Sequence, residues 1–130
     1  MATELVLIVE DNEKNRKLAR DVLQFNGYAI VETDNAEDGL RIARERHPAL
    51  ILMDFHLPGM NGIEALEQLR GDETTRDIPV IAVTASAMSE DRKRIVAAGF
   101  DALQTKPIHV REFVQVVADV LARRAKGAQA

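Results

Sequence analysis

Cysteine is absent from this 130-residue chain, so neither disulfides nor thiolate chemistry can contribute to its structure or function. No apolar stretch comes near the ~18 residues a membrane span requires, and Met1-Ala-Thr-Glu4 is too short and acidic to open a signal peptide. An excess of basic charge is missing as well: 17 Lys and Arg stand against 21 Asp and Glu, a formal net charge of −4. A nucleic-acid partner is thereby disfavoured, because phosphate contacts need a basic surface, and no membrane partner is expected either. Internal repeats and low-complexity segments are also lacking. What remains is ordinary for a soluble globular protein, 46% apolar and 29% charged. A single domain working in the cytoplasm is expected.

Five apolar runs punctuate the chain, at Leu5–Val9, Tyr28–Thr33, Leu50–Met53, Val80–Thr84 and Ala102–Thr105. Leu50-Ile-Leu-Met53 has four consecutive apolar residues, the mark of a strand buried on both faces of a parallel sheet. Each run is followed by a segment with helical spacing. Leu18, Ala19, Val22 and Leu23 share one face of a first helix that Gly27 is placed to end. Asp34 and Glu37 suggest a capping box ahead of a second helix bearing Ala36, Leu40 and Ala43. Ile63, Leu66 and Leu69 mark a third, and Phe113, Val116, Val117, Val120 and Leu121 form the clearest stripe, on the last. The fourth helix differs, since Ser89-Glu-Asp-Arg-Lys-Arg94 offers little apolar surface with which to grip a sheet. Such a segment is either a solvated face or a mobile, partner-facing one. The alternation predicts an α/β fold: a doubly wound, five-stranded parallel sheet of order 2-1-3-4-5, flavodoxin-like (βα)5.

In that topology ligands bind beyond the carboxyl ends of the strands, at the switch point between strands 1 and 3. Strand 1 runs into Glu10-Asp11 and strand 3 into Asp54, so three carboxylates should converge. Two of them ~4 Å apart repel by about 4 kcal/mol at an effective dielectric near 20, so such a pocket takes up protons or recruits a cation. Hard oxygen ligands at strand ends suit Mg²⁺ (or Mn²⁺). Thr84 closes the fourth strand and Lys106 follows the fifth, just before Pro107. Acids, a hydroxyl and an ammonium around a metal make a phosphoryl site, with Asp54 as nucleophile.

Four segments carry a resemblance: Val9-Glu10-Asp11-Asn12, Leu52-Met-Asp54-Phe-His-Leu-Pro58-Gly-Met-Asn-Gly62, Val83-Thr84-Ala85 and Lys106-Pro107-Ile108. Each alone is weak. In order, each at a strand end, they resemble the receiver domain of bacterial response regulators, and within it the single-domain regulators of cell division. The resemblance spans about Glu4 to Leu121 and implies a receiver domain over residues 1–124; the apolar pattern is lost beyond it, so residues 125–130 are expected to form a disordered tail. It implies that Asp54 accepts phosphate from a sensor histidine kinase or histidine phosphotransferase. Glu10, Asp11, Asp54 and the backbone carbonyl of His56 would hold Mg²⁺, while Thr84 and Lys106 would bind phosphoryl oxygens. Ala85 would keep the site open, and a cis peptide is implied between Lys106 and Pro107. His56 and Ser86 fall at positions that tune hydrolysis. Leu103 is a departure, standing where the family usually has Tyr or Phe that rotates on activation; the nearest aromatic, Phe100, is either a substitute switch or an anchor. The implied protein is a phosphorylation-controlled signalling module rather than a turnover enzyme. It would be a monomer or weak dimer, passing its signal through the region from helix 4 to helix 5 to an unknown effector or regulated kinase.

Blander assignments exist for every one of these residues. Asp54 could start a turn, the Glu10-Asp11 pair could cap a helix, Thr84 could reflect β-propensity, and Lys106 could be surface. Two other functions compete. An aspartyl-nucleophile phosphatase would need a second acid where His56 stands, together with a cap domain. A flavin or dinucleotide module would need a Gly- or hydroxyl-rich first loop where Glu10-Asp11-Asn12-Glu13 stands. A phosphate sink without an effector fits the residues as well as a switch does.

Overall fold

A computed structural model describes residues 4–85 and 89–129 of the chain. The apolar runs form strands β1 (Leu5–Val9), β2 (Ala29–Thr33), β3 (Leu50–Asp54), β4 (Val80–Thr84) and β5 (Ala102–Thr105). Between and after them lie helices α1 (Glu13–Phe25), α2 (Ala36–Arg46), α3 (Gly62–Gly71), α4 (Ser89–Ala98) and α5 (Val110–Gln129). All strand pairs are parallel, in the order β2-β1-β3-β4-β5. This is the doubly wound, flavodoxin-like (βα)5 architecture expected from the alternation.

Period-two alternation along the strands divides the core into two layers. Leu7, Val9, Ile51, Met53, Val80 and Ala82 pack with residues of α2, α3 and α4. Val6, Ile8, Leu50, Leu52, Ile81 and Val83 pack with α1 and α5. The expected stripes supply the helical side of both layers: Leu40 and Ala43 from α2, Leu66 and Leu69 from α3, Phe113, Val117, Val120 and Leu121 from α5. α4 is held as weakly as its sequence suggests. Ile95 is its one fully buried side chain among the described residues, while Val96 is 73% exposed.

Helix ends follow local chemistry. Asn12 caps α1, its side chain accepting the Asn15 N–H at 3.0 Å, and Gly27 ends the turn beyond at φ +92°. At α2 the cap falls one residue later than expected. Asn35, extended at φ −146°, accepts the Asp38 N–H at 2.8 Å, and Ala36 is thereby the first helical residue, fully buried; Asp34 only receives the Asn35 amide. At α3, Asn61 and Glu64 form a capping box that the loop composition concealed. The α5 backbone continues to Gln129. The alanines, arginines and lysine after Leu121 are good helix formers, and only Gly127 opposes the helix.

Phe113 is wholly buried in the layer between the sheet and α5. Phe113→Ala should lower the unfolding free energy by about 3–5 kcal/mol, read as a reduced urea midpoint with an unchanged slope. A loss below about 1 kcal/mol would contradict this packing.

Candidate functional site

Register decides which strand ends meet. Val9 pairs with Met53 and Asp54 with Val83, so the residue after β1, Glu10, lies level with Asp54. At the other side Thr84 pairs with Thr105, and the next residue, Lys106, donates its backbone N–H to the Thr84 carbonyl at 2.8 Å. Glu10 continues the alternation of Ile8, Asp54 that of Leu52 and Lys106 that of Gln104, so all three fall on the α1–α5 side of the sheet edge. Separations of 44 and 52 residues in sequence thus become direct contacts in space.

Glu10 and Asp54 are buried, only 5% and 4% exposed, whereas Asp11 is exposed. The Lys106 ammonium bridges the buried pair, with Nζ 2.7 Å from Glu10 Oε1 and 3.1 Å from Asp54 Oδ2. Backbone donors take up the remaining oxygens. The Asn12 N–H reaches Glu10 Oε2 at 3.3 Å and the His56 N–H reaches Asp54 Oδ1 at 3.0 Å. Burial, and then a hydrogen bond shared with Asp54, push the Glu10 carboxyl up to about 7. Burial acts to raise Asp54 too, but the Glu10 hydrogen bond, the His56 N–H and Lys106 outweigh it and hold Asp54 below the ordinary carboxylate range. Burial disfavours the Lys106 ammonium, yet its two carboxylate partners raise its pKa.

Glu10, Asp11 and Asp54 each offer an oxygen within 4.8 Å of the others, a grouping able to hold a metal ion. The donor set is all hard oxygen and one side is open at exposed Asp11, which fits a Mg²⁺ that keeps several waters. The expected trio therefore converges, and Lys106 faces it. Thr84 ends β4 fully buried, in the alternation of Ala82, with Ala85 exposed beyond it. Lys106–Pro107 is cis. Leu103 is half-buried against the α2–α4 layer, and Ser86 lies outside the described residues.

Three supporting contacts were not legible in the chain. Arg16 donates from one turn inside α1 to the Glu10 carbonyl at 2.9 Å, and nothing in its spacing marks it. Gly62 opens α3 directly under the loop that follows Asp54: a Cβ there would lie 3.0 Å from Phe55 Cα and 3.3 Å from the Asp54 carbonyl. Any larger residue would require that backbone to give by a few tenths of an ångström. The Gly62 N–H bonds the Phe55 carbonyl at 3.1 Å. Phe55, beside Asp54, meets the Phe100 ring edge-on at 6.3 Å and lies under the Arg94 guanidinium of α4 at 5.5 Å. Phe100 is thus a buried anchor.

The sequence profile of the response regulator receiver domain matches residues 6–118. Among curated proteins, the polar-differentiation response regulator DivK of Brucella ovis is 47% identical over 119 residues, covering 92% of this chain and 97% of that protein. The Brucella anthropi protein of the same name is 47% identical over 116 residues, covering 89% and 94%. A receiver domain protein from Methanospirillum hungatei JF-1 superposes with a TM-score of 0.88 at 28% identity, covering 97% of this chain and 99% of that one. The receiver domain of the sensor histidine kinase PA1611 from Pseudomonas aeruginosa PAO1, solved with a magnesium ion in its active-site cleft, gives 0.86 at 30% identity, covering 93% and 99%. Fold, acidic pocket and profile agree: this chain belongs to the response regulator receiver domain family, as a DivK-like signalling protein of two-component systems.

Proposed function

We propose that Asp54 accepts a phosphoryl group from a phosphohistidine on a histidine kinase or phosphotransferase, and that the acyl phosphate switches the binding of an effector. The observation that carries this reading is the Lys106 ammonium bridging the two buried carboxylates, Glu10 and Asp54, beside exposed Asp11. An Asp54 oxygen attacks phosphorus, the P–O bond forms as the P–N bond breaks, and the departing imidazole keeps the electron pair and takes up a proton. Asp54 is ionised for that attack, since its surroundings hold its pKa down. Lys106 and Thr84 would bind the phosphoryl oxygens, and Ala85 leaves room for them. Glu10, Asp11, Asp54 and the His56 carbonyl would hold Mg²⁺, which supplies neutralisation of the charge that gathers in transfer.

The exposed His56 side chain stands at the mouth of the site, edge-on to Phe55 at 4.9 Å, placed to modulate water attack on the acyl phosphate. Output is assigned to the segment from β4 to α5, with Thr84 reporting the phosphoryl group and the weakly held α4 responding. Leu103 would move less than an aromatic there. The module catalyses its own phosphorylation and slow hydrolysis without releasing a product as its purpose. Among the described residues no helix is long and apolar enough to cross a membrane, which fits a cytoplasmic module; a monomer or weak dimer is proposed.

Incubated with Mg²⁺ and acetyl phosphate, the wild-type chain should gain a single phosphoryl group by intact mass and Asp54→Asn none. Equal labelling of the variant would remove Asp54 from its role. His56→Ala should change the rate at which the labelled protein loses its phosphate, followed by the same measurement; an unchanged rate would leave His56 as mere lining.

Mg²⁺ should raise the melting temperature of the wild type by mass action on the folded state, and the shift should shrink in Asp11→Ala. In EDTA, the sign of the pH dependence follows from Glu10, whose folded pKa is raised by burial to about 7 from the ordinary 4.5. The unfolded chain releases that proton first, so the contribution is fully present below 4.5 and is lost as pH rises through about 7. Glu10→Gln lacks this loss. Its melting temperature relative to wild type should climb across that window, and a gap independent of pH would refute the assignment.

A further inference from the structure

The far end of the sheet, where β4 and β5 begin, carries a cleft of about 390 Å³ that the phosphoacceptor reading does not use. Its size falls within the range of small-molecule sites. Three arginines line it from three separate elements: Arg70 near the end of α3, Arg76 in the loop before β4, and Arg123 on α5. Buried Val120 and Ile78 contribute apolar wall.

The three guanidinium groups are not equivalent. Arg70 belongs to the scaffold, donating to the carbonyls of Arg76 at 3.1 Å and Ile78 at 2.7 Å and to Asp101 Oδ2 at 3.0 Å. Asp101 is compensated in turn, since the Val80 N–H also reaches Oδ2, at 2.7 Å. Arg76 and Arg123 have no carboxylate in ion-pair range among the described residues; Arg123 makes a single long bond, 3.4 Å, to the Asp101 carbonyl. Asp77 is the one lining carboxylate left without a cation in ion-pair range among the described residues. Three arginines against Asp77 and Asp101 thus leave this concave space net positive in a chain of net charge −4.

We propose that this cleft binds a small molecule carrying a pyrophosphate group, of about nucleotide size. Guanidinium forks match phosphate oxygens in pairs, and groups arriving from separate elements suit a ligand with several charged oxygens better than a lone carboxylate. A polymer is disfavoured, because the chain's net charge of −4 repels a long polyanion. The site is distinct from Asp54: the two ends of β4 lie roughly 13 Å apart at about 3.3 Å per residue.

The test is isothermal titration of the full chain in EDTA with ADP, inorganic pyrophosphate and citrate. ADP and pyrophosphate should bind saturably at one site. Arg76→Ala and Arg123→Ala, both exposed and outside the core, should each weaken binding at least about fivefold, the scale of a lost charge-assisted bond. Asp77→Asn should tighten it, Lys106→Met should leave it unchanged, and Arg76→Ala should still be labelled at Asp54 by acetyl phosphate. The proposal is overturned by non-saturable binding, by affinities that neither arginine variant moves, or by citrate binding as tightly as ADP. Loss confined to Lys106→Met also overturns it, by placing the phosphates at the Asp54 end. None of these outcomes bears on phosphorylation of Asp54, so the two readings fail separately.

Discussion

A single ammonium reconciles the carboxyl edge of this sheet with its own charge. Without Lys106, Glu10 and Asp54 would face one another buried and uncompensated, a juxtaposition worth several kcal/mol of repulsion in a protein interior. With it, the pair stays close, and each remaining oxygen finds a backbone N–H, from Asn12 or His56. The cost is asymmetric. Glu10 is driven toward protonation while Asp54 is kept ionised, so the carboxylate proposed to do chemistry is the one the surroundings keep charged. A divalent cation and a phosphoryl group would arrive at a site whose charges are already arranged around the position each takes.

Both faces of the sheet are well packed, and the loosely held element is α4 alone. α1 and α5 press Leu23, Phe113 and Val117 into the layer beneath the acidic edge, and the Arg16 guanidinium ties α1 to the Glu10 carbonyl. On the other face α3 is locked at Gly62 against the backbone of the Asp54 loop. α4 is anchored by Ile95 and by the Arg94 contact with the Phe55 ring. A helix with so little buried apolar surface sits at the low end of local stability, which is where a responsive element is affordable.

Much of this was legible along the chain because parallel α/β folds write themselves locally. Runs such as Leu50-Ile-Leu-Met53 must be buried on both sides, and the helical stripes have one face each, so strand and helix positions follow from periodicity. The convergence of Glu10, Asp11, Asp54 and Lys106 was legible too, because the strand order forces those ends together. Caps were less legible: Asn35 and Asp34 are chemically interchangeable as caps, and only the burial of Ala36 selects between them. The α5 backbone runs on past Leu121, its last buried apolar residue among the described ones, because helix propensity needs no buried face.

By itself, then, the sequence determined the alternation of elements, the two-layer core and the identity of the acids and the lysine at the strand ends. Those depend on residue type and short-range period, which are properties of the chain. Tertiary structure alone decided that Lys106 bridges both carboxylates, that Glu10 rather than Asp54 is pushed toward the neutral form, and that Arg70, Arg76 and Arg123 gather at one cleft. Each of these depends on distances and desolvation between residues far apart in sequence. Coulombic and hydrogen-bond energies change steeply over an ångström, a scale that no pattern of letters encodes.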